Sequence, residues 1–490
     1  MNNYKTVILS AISTFKTGDL KISKLIFEKL AKEYPYEIEP YYYLGIIEAK
    51  NSNLENAILF LQKSLKVRPS FHGYKALSEI YTLLNDKINT IKNIKMALIY
   101  DSFNEKLKNS LLELTPNTNF INKANIYIDG YYEKSKDCPY LKYIKSYDAQ
   151  IINRTSPEYK KTQLSETQTE LIQKTIAQYT TNNTSEGFVL EIPNGLVFVK
   201  QSEQTIFTTS NNKILGDTID PNGPQPNFNY SLPEALTPCE NLLVLSSCWG
   251  GNFYHWLTWT IPRLKMIIEV GYNLQDFDKI LINYNGYKFQ KEIVELIGIP
   301  CDKIIGTLEK GAIFNAKKIV TASLPEFLST PKIVTQSLRN TFLSPSLDNA
   351  NKPKRIYLSR NKSKSRHIKN EDELLNFLKN YNFTTIYAED LTFTEQVEYF
   401  SNADIILSQH GAGLTNIAFS KENTQIIEIY NEKLKNNLDT SFWRISSDVN
   451  LKHYLMFGEP IGDGPTADMY VNLHKLKEIF QLAKITNSTN

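Results

Sequence analysis

The sequence predicts two Rossmann-like α/β domains that face a cleft, preceded by an all-α solenoid of helical repeats. Three observations support this fold class. Apolar residues near the N-terminus recur with a period of 34 residues, strands alternate with helices from Asn241 onward, and the alternation restarts after a polar segment near residues 344–354. The predicted domains are therefore residues 1–112, 113–345 and 352–490.

The composition is that of a globular protein with several domains. The chain has 490 residues, of which 41% are apolar and 12% aromatic, and this length exceeds what one hydrophobic core accommodates. Its formal charge of +3 arises from 55 Lys and Arg against 52 Asp and Glu. Because this balance gives no general attraction to phosphate backbones, we expect no nucleic-acid partner.

Cysteine usage and hydropathy indicate the cellular compartment of the protein. The four cysteines are irregularly spaced and predict neither a disulfide framework nor a zinc site. The N-terminal apolar patch has helical spacing with no small-residue cleavage site after it, and no run reaches the ~18 to 20 apolar residues of a membrane span. We therefore expect a cytoplasmic protein with at most peripheral membrane contact.

Helical repeats account for the first 112 residues. The segments "TGDLKISKLIFEKLAKEYP" and "NSNLENAILFLQKSLKVRP" align at an offset of 34, so that Leu20 matches Leu54 and Pro35 matches Pro69. A third, degenerate copy runs to about Phe103. The period resembles the tetratricopeptide repeat, although the family's Trp and several small residues are replaced. The repeats are expected either to cap the next domain or to dock a protein partner.

Strand patterns follow the repeats. "GFVLEIPNGLVFVK" and "QTIFTTSNNKIL" are expected to be short strands turned at Pro-Asn-Gly and at Ser-Asn-Asn. The later alternation of strands and helices predicts two parallel sheets covered by helices. Two such halves imply a ligand cleft between them.

A glycine-containing loop in the second half is a candidate phosphate site. The apolar strand Ile405–Leu407 leads into it, and a helix is expected to follow. The loop consists of His410, Gly411, Ala412 and Gly413. Glycines let the backbone approach a ligand, and the first amides of a helix present free N–H groups to it. Taken alone, the pattern fits either a diphosphate site or a tight turn that needs glycine for its geometry.

Arginines after the neighbouring strand favour the phosphate interpretation. The strand "RIYLSR" ends at Arg360, and Arg366 follows in the next loop. Carboxyl ends of parallel strands face the ligand crevice, and a guanidinium offers bidentate hydrogen bonds to phosphate. The lysines of this loop are expected to be solvated.

Acidic residues are further candidates for ligand contacts. Glu428 lies on a strand otherwise built of Ile and needs a partner, which is either a ribose diol or an Arg or Lys. Asp276 and Asp278 form an Asp-x-Asp pair, but they precede the strand "KILINY" and so lie at the amino end of the sheet. We expect no metal there, with positive charge supplied by arginine and helix dipoles instead.

The segment "SCWGGNFYHWLTWTIPRL" holds three of the four tryptophans. A strand leads into it, so the Gly pair is expected to form a turn, with Asn252 and His255 at the start of the following helix. This places His255 in the first half, opposite the glycine-containing loop. The histidine is expected either to be structural or to contact substrate, and part of the aromatic content is expected to be core.

These segments together resemble glycosyltransferase family 61. The family's pattern includes N-x-Y-H-W, L-P-R-L, Y-(I/L)-S-R, R-x-I-x-N-E-x-E-L, E-Q-x-x-x-F and H-G-A-G-L-x-N. This chain has "NFYHW", "IPRL", "YLSR", "RHIKNEDEL", "EQVEYF" and "HGAGLTN" in the same order, over about residues 185–435. The family often carries an Asp four residues after the His, where this chain has Trp259, so a role of that acid does not transfer.

The resemblance implies a GT-B fold, an inverting mechanism without bound metal, and no cofactor besides a nucleotide-sugar donor, most simply a UDP-sugar. The leaving diphosphate would be bound by Arg360, Arg366, the amides of Gly411 to Gly413 and Asn416, with His410 shaping the loop. His255 is the predicted base, and Asp390 or Glu389 is the alternative. The acceptor would contact Asn252, Trp256 and Trp259, the last as a stacking surface.

The expected reaction moves a sugar to a glycan or protein hydroxyl, in bacterial surface polysaccharide or glycoprotein synthesis. Two other functions remain open on the sequence alone. One is a nucleotide-sugar epimerase of GT-B form, and the other is a tetratricopeptide adaptor whose α/β part has lost catalysis.

Overall fold

The structure, a computed structural model, describes residues 2–101, 104–116, 131–199, 205–211, 213–219, 236–306, 312–324, 331–344, 351–431, 438–462 and 466–487. The chain divides into two compact units. The first contains Met1–Ile144, Phe188–Gly251 and Met266–Ser323, and the second contains Lys145–Gly187, Asn252–Lys265 and Leu324–Asn490. The predicted boundaries differ, because residues 145–187 and the segment that carries His255 group with the C-terminal half.

Seven α-helices form the N-terminal part of the first unit. They are Asn2–Lys16, Leu20–Glu33, Ile38–Lys50, Leu54–Val67, Phe71–Leu83, Lys87–Tyr100 and Glu105–Leu114. The second, fourth and sixth helices each begin after a side-chain cap, in which Asp19, Asn53 or Asp86 accepts a backbone N–H three residues ahead. Such a cap stabilises a helix by about 1 kcal/mol. The predicted helical hairpins are confirmed, and the last helix extends past residue 112.

Successive hairpins bury one continuous apolar face. Phe27 and Leu30 pack with Leu44 and Ile47, and a second cluster joins the fourth helix to the fifth through residues that include Leu61. Each hairpin therefore depends on its neighbour for burial, as in repeat proteins generally.

A nine-stranded mixed sheet completes the first unit. Its parallel half consists of Ala312–Ala322, Leu236–Val244, Lys279–Leu281 and Ile304–Ile305, in that spatial order. Its remaining strands are Gly187–Val199, Thr205–Thr208, Ile214–Leu215, Tyr131–Tyr132 and Lys142–Tyr147. The helix Lys288–Leu296 connects two of the parallel strands. The predicted alternation of strand and helix is therefore confirmed here.

The predicted turn at Pro-Asn-Gly is wrong. Gly187–Val199 is a single strand, and Pro193 and Gly195 both pair with the antiparallel strand Ala312–Ala322. Asn194 between them adopts a φ of +50°, so one residue absorbs the irregularity without reversing the chain. The second expected turn is confirmed, since Thr208 pairs with Ile214 in antiparallel strands.

The second unit is built on a seven-stranded sheet. Five parallel strands lie in the spatial order Thr384–Tyr387, Arg355–Ser359, Ile405–Gln409, Gln425–Asn431 and Lys452–Ile461. Numbered along the chain this is the order 2-1-3-4-5, which is a doubly wound α/β arrangement. Asp468–Tyr470 pairs antiparallel and Glu158–Tyr159 parallel to the last of these strands.

Helices connect and flank the strands of this sheet. They are Glu166–Thr180, Ile333–Phe342, Glu371–Lys379, Phe393–Asn402, Ser441–Asp448 and Leu473–Leu482. The short strands Ile151–Asn153 and Thr181–Asn183 form a separate antiparallel pair. Within the described parts of the chain, no helix is both long and apolar enough to cross a membrane.

The tryptophan-rich segment is helical with an irregular middle. It runs as an α-helical turn Phe253–His255, a π-helical stretch Trp256–Thr260 and an α-helix Ile261–Glu269. π-Helical turns inside α-helices are uncommon and often occur at functional sites.

Candidate active site

Two loops of the second unit meet at the point where its strand order reverses. Arg360 follows the strand Arg355–Ser359, and His410 follows Ile405–Gln409. These strands are parallel neighbours, with connections that leave in opposite directions along the sheet. Doubly wound sheets bind ligands outside the carboxyl ends of their strands at such a switch point. The structure thus brings together the arginine and the glycine-containing loop that the sequence analysis selected.

The Arg360 side chain lies directly against Gly411. A Cβ placed on Gly411 would overlap the Arg360 guanidinium, so a larger residue here would displace the end of that side chain. Nε of Arg360 is buried without a hydrogen-bond partner, and Nη2 makes only a long contact of 3.5 Å with the Ser365 carbonyl. Burial, and then the charge of nearby Arg366, lowers the pKa of Arg360. A guanidinium remains protonated even so, and its Nε lacks a hydrogen-bond acceptor.

Arg366 is tied to the same loop. It adopts a φ of +62°, unusual for a residue with a side chain, and its Nη1 donates to the His410 carbonyl at 3.0 Å. Burial lowers the pKa of Arg366, while the carboxylates of Asp439 and Glu428 oppose that shift. A left-handed conformation costs on the order of 1 kcal/mol or more, so the surrounding contacts hold Arg366 in place.

His410 is the centre of a chain of hydrogen bonds. Its Nδ1 lies 2.5 Å from Oε1 of Glu428, whose Oε2 lies 3.0 Å from Nε2 of His453. The hydroxyl of Ser446 lies 2.8 Å from the other nitrogen of His453. Glu428 is fully buried, and burial alone would raise its pKa, but the hydrogen bonds with the two histidines lower it. The partners of Glu428 in the structure are two histidines and not an Arg or Lys. The predicted contact of Glu428 with a ribose stays a prediction.

A second carboxylate faces the other side of the same imidazole. Oδ2 of Asp439 lies 3.3 Å from Nε2 of His410, and Oδ1 accepts the backbone N–H of Ser441 at 2.9 Å. Burial acts to lower the pKa of His410, but hydrogen bonds with Asp439 and Glu428 raise it to about 9. His410 is therefore an imidazolium at neutral pH. The Asp439 side chain is 49% exposed, so the network reaches solvent there.

Asp439 was missed by the sequence analysis, as was His453. Neither belongs to a periodic segment or a recognisable motif, and their contacts with His410 and Glu428 depend on the folded sheet. The available signal was Glu428 on an apolar strand, which indicated a partner, either a ribose diol or an Arg or Lys, without pointing to a histidine or to Asp439.

The loop after Gly411 continues as a 3-10 helix, Ala412–Phe419, where an α-helix was expected. Asn416 is fully buried within it, and its Nδ2 donates to Oε1 of Gln396 and to the Gly413 carbonyl. Asn416 thus holds the loop in shape from inside. The predicted contact of Asn416 with donor stays a prediction.

His255 belongs to the same unit as these loops, not to the opposite half as expected. Aromatic packing accounts for this: Phe253 contacts Phe393, and Tyr254 contacts Phe442 at a ring distance of 5.7 Å. Burial lowers the pKa of His255 to about 4, and the charge of Asp439 opposes the shift. The imidazole is therefore neutral at pH 7 and able to accept a proton.

The residues next to His255 mainly cap its helix and pack in the core. Oδ1 of Asn252 accepts the His255 backbone N–H at 2.9 Å and caps the helix. Trp256 is completely buried, and Trp259, 4% exposed, packs beside the His255 ring at 4.2 Å. Both indoles are core residues of this unit, and their predicted contact with an acceptor sugar stays a prediction.

The alternative bases lie at the carboxyl end of the strand Thr384–Tyr387. Asp390 is half-exposed and forms an ion pair with Lys362 at 2.5 Å. Glu389 is exposed and acts electrostatically on Arg360. Their role as base stays a prediction.

The Asp-x-Asp pair has structural contacts in the first unit. Asp278 accepts the backbone N–H of Asn241, and Asp276 accepts that of Asn273. Among the residues that the structure describes, no cluster of three or more His, Cys, Asp or Glu side chains has the arrangement of a metal site.

Comparison with known protein families finds a match in the same region of the chain. Residues 253–427 match the family Glycosyltransferase 61. The matched segment contains His255, Arg360, Arg366 and the whole loop from His410 to Gly413, so the prediction of a glycosyltransferase domain is confirmed.

Two curated relatives are EGF domain-specific O-linked N-acetylglucosamine transferases. The one from Drosophila melanogaster is 42% identical over 78 residues, covering 15% of each chain. The one from Gallus gallus is 37% identical over 71 residues, covering 14% of this chain and 13% of the relative. The chain thus spans about one-seventh of the length of the curated relatives it matches.

The crystal structure of the MamA protein is among the similar solved structures. It has a TM-score of 0.22 and 18% identity over 24% of this chain and 64% of that one. This likeness is too weak to support a conclusion. The helical repeats are identified from their own helices and packing.

Proposed function

We propose that this protein is an inverting glycosyltransferase of GT-B fold that moves a sugar from a nucleotide-sugar donor, most simply a UDP-sugar, to a protein or glycan hydroxyl. The observation that carries the proposal is the position of Arg360. A buried guanidinium with an unpartnered Nε lies over a glycine at the switch point of a doubly wound sheet. A diphosphate supplies the charge and the acceptor atoms that this group lacks.

The positive charge needed by the leaving group is supplied by the protein itself. Arg360, Arg366 and the imidazolium of His410 surround one loop, and the charge that develops on a departing diphosphate is stabilised by such fixed cations. In this mechanism Glu428 and Asp439 keep His410 protonated and oriented. No metal is required for that step, and turnover is expected to persist in the presence of a chelator.

The acceptor hydroxyl must lose a proton as it attacks the anomeric carbon. His255 is neutral at pH 7 and lies in the same unit as the donor loop, which suits a general base. Asp439, which acts electrostatically on both His255 and His410, stabilises the imidazolium that forms when His255 takes the proton. The acceptor-side role of Asn252 is part of this proposal.

Protein hydroxyls are the favoured acceptor class, because the names of the two relatives describe transfer to a protein domain. An experiment with the purified chain and a panel of UDP- and GDP-sugars tests the proposal. Release of nucleotide or transfer of sugar is the expected result. Interconversion of donors without release indicates an epimerase instead, and the absence of any donor binding indicates an adaptor.

A further inference from the structure

A pocket of about 480 Å³ lies in the first unit, among residues that the candidate active site does not use. Its walls come from the repeat helices and from Tyr284 and Asn285, which follow the parallel strand Lys279–Leu281. The pocket therefore lies at the carboxyl end of a parallel strand, where α/β sheets accept ligands, and the repeat helices form the rest of it.

Contacts within the first unit hold these walls together. Gly286 has a φ of +73°, and a Cβ there would lie 2.5 Å from the Val67 carbonyl. The Lys291 ammonium donates to the Tyr36 carbonyl at 3.2 Å. On the far side, the Tyr100 hydroxyl accepts the backbone N–H of Gly306 at 3.2 Å. Because the repeats are anchored to the loops of the sheet at these points, the pocket is formed before any ligand arrives.

The lining combines aromatic rings with paired polar groups. Tyr42, Tyr43, Phe71 and Tyr100 are half-buried, and Tyr284 is buried. Burial raises the pKa of the Tyr42 and Tyr43 hydroxyls, so both stay protonated and able to donate.

Charged groups of both signs also line the pocket. The lining includes the guanidinium of Arg68 and the carboxylates of Glu39 and Asp101, together with the imidazole of His72 and the amide of Asn285. Without a surplus of cations the pocket does not suit a phosphate, and the polar and charged groups in its lining do not suit a lipid chain. It suits a neutral ligand that carries hydroxyls on its edges and C–H groups on its faces.

We infer that this pocket binds a neutral carbohydrate, of about disaccharide size, that forms part of the acceptor. Aromatic rings pack against the C–H faces of a sugar, and Arg, His, Glu and Asn side chains hydrogen-bond its hydroxyls. The volume lies within the range of about 300 to 1,000 Å³ of ligand pockets. The acceptor role rests on the proposed function, whereas carbohydrate binding does not.

Saturation-transfer NMR with the full chain, in the absence of donor, tests this inference. The probes are cellobiose, maltose, lactose and N,N′-diacetylchitobiose. At least one of them is expected to receive saturation, and Tyr42→Ala is expected to weaken its binding at least about tenfold, as for a central aromatic contact. Tyr42→Phe keeps the ring and loses only the hydroxyl, so its binding is expected to fall between that of the wild type and that of Tyr42→Ala. Tyr140→Ala, at a 51% exposed tyrosine outside the pocket, is the matched control.

Failure of all four sugars to bind, or equal binding by the Tyr42→Ala variant, overturns the inference. It is also overturned if a mixture of unstructured tripeptides binds in a Tyr42-dependent way while no disaccharide does, since the pocket is then a peptide groove. Donor hydrolysis without acceptor reports on the proposed function separately, and Tyr42→Ala is expected to leave it unchanged. If hydrolysis is absent while Tyr42-dependent sugar binding persists, the transferase proposal fails and the carbohydrate site stands.

Discussion

Nδ1 of His410 lies 2.5 Å from Oε1 of the fully buried Glu428. A carboxylate without access to water needs a cation, and the imidazole supplies it by remaining protonated to about pH 9. The pair thus fixes a positive charge at the start of the glycine-containing loop. That charge lies where the proposed diphosphate leaves.

The pH dependence of kcat/KM is expected to show a broad plateau between the pKa values of His255 and His410. Activity falls on the acid side as His255, with a pKa of about 4, becomes protonated and ceases to act as a base. It falls on the alkaline side as His410 loses its proton near pH 9. Initial rates at subsaturating donor across pH 4 to 10 measure both limbs. An alkaline limb near pH 7 would contradict the charge assigned to His410.

The substitution Glu428→Gln tests the origin of that charge. With Asp439, Glu428 is one of two anions that hold the proton on His410, so its removal lowers the pKa of His410 and moves the alkaline limb to lower pH. The matched control is Glu371→Gln, at another buried glutamate of the same unit, which binds Tyr357 and Ser359. If the two variants shift the limb equally, the effect is a general loss of packing and not a property of His410.

The predicted base is tested by His255→Ala. General base catalysis contributes about 10²- to 10⁴-fold, so kcat is expected to fall by that factor while donor affinity changes little. The acid limb of the pH profile disappears with the group that causes it. His474→Ala, at an exposed histidine of the same unit, serves as control. Wild-type turnover in the His255 variant transfers the role to Asp390 or Glu389.

Gly411→Ala tests the contact between loop and arginine. The added Cβ overlaps the Arg360 guanidinium and displaces it. The kcat/KM for donor is expected to fall, by as much as about 100-fold for a misplaced group. In the Arg360→Ala background the same change is expected to have almost no further effect, because its target is absent. Additive losses in the double variant would show that Gly411 matters for another reason.

The strand ends of the site could be predicted from sequence because local patterns determine them. Apolar runs located the strands that end at Ser359 and Gln409. Knowing that parallel strands share a carboxyl edge was then enough to place Arg360 beside the loop at His410.

Features that depend on distant partners could not be predicted in this way. Nothing in the sequence indicates that Asp439 contacts His410. Nor does it indicate that Phe253 and Tyr254 contact Phe393 and Phe442, and that His255 therefore lies in the second unit. The burial of Trp259 is a similar case, since helical spacing alone does not say which face meets the core. Pro193 was misjudged because a single residue with positive φ, Asn194, replaced the expected turn.

The most direct test of the account is the affinity of Arg360→Ala for a nucleotide-sugar donor, measured by titration calorimetry with the UDP- or GDP-sugar that the wild type binds. Loss of one partner of a buried charge pair costs at least about 2 kcal/mol, so affinity is expected to fall at least about 30-fold. Lys364→Ala removes an exposed charge from the same loop and is expected to bind donor as the wild type does. Undiminished donor affinity in the Arg360 variant would contradict the placement of the diphosphate at this site.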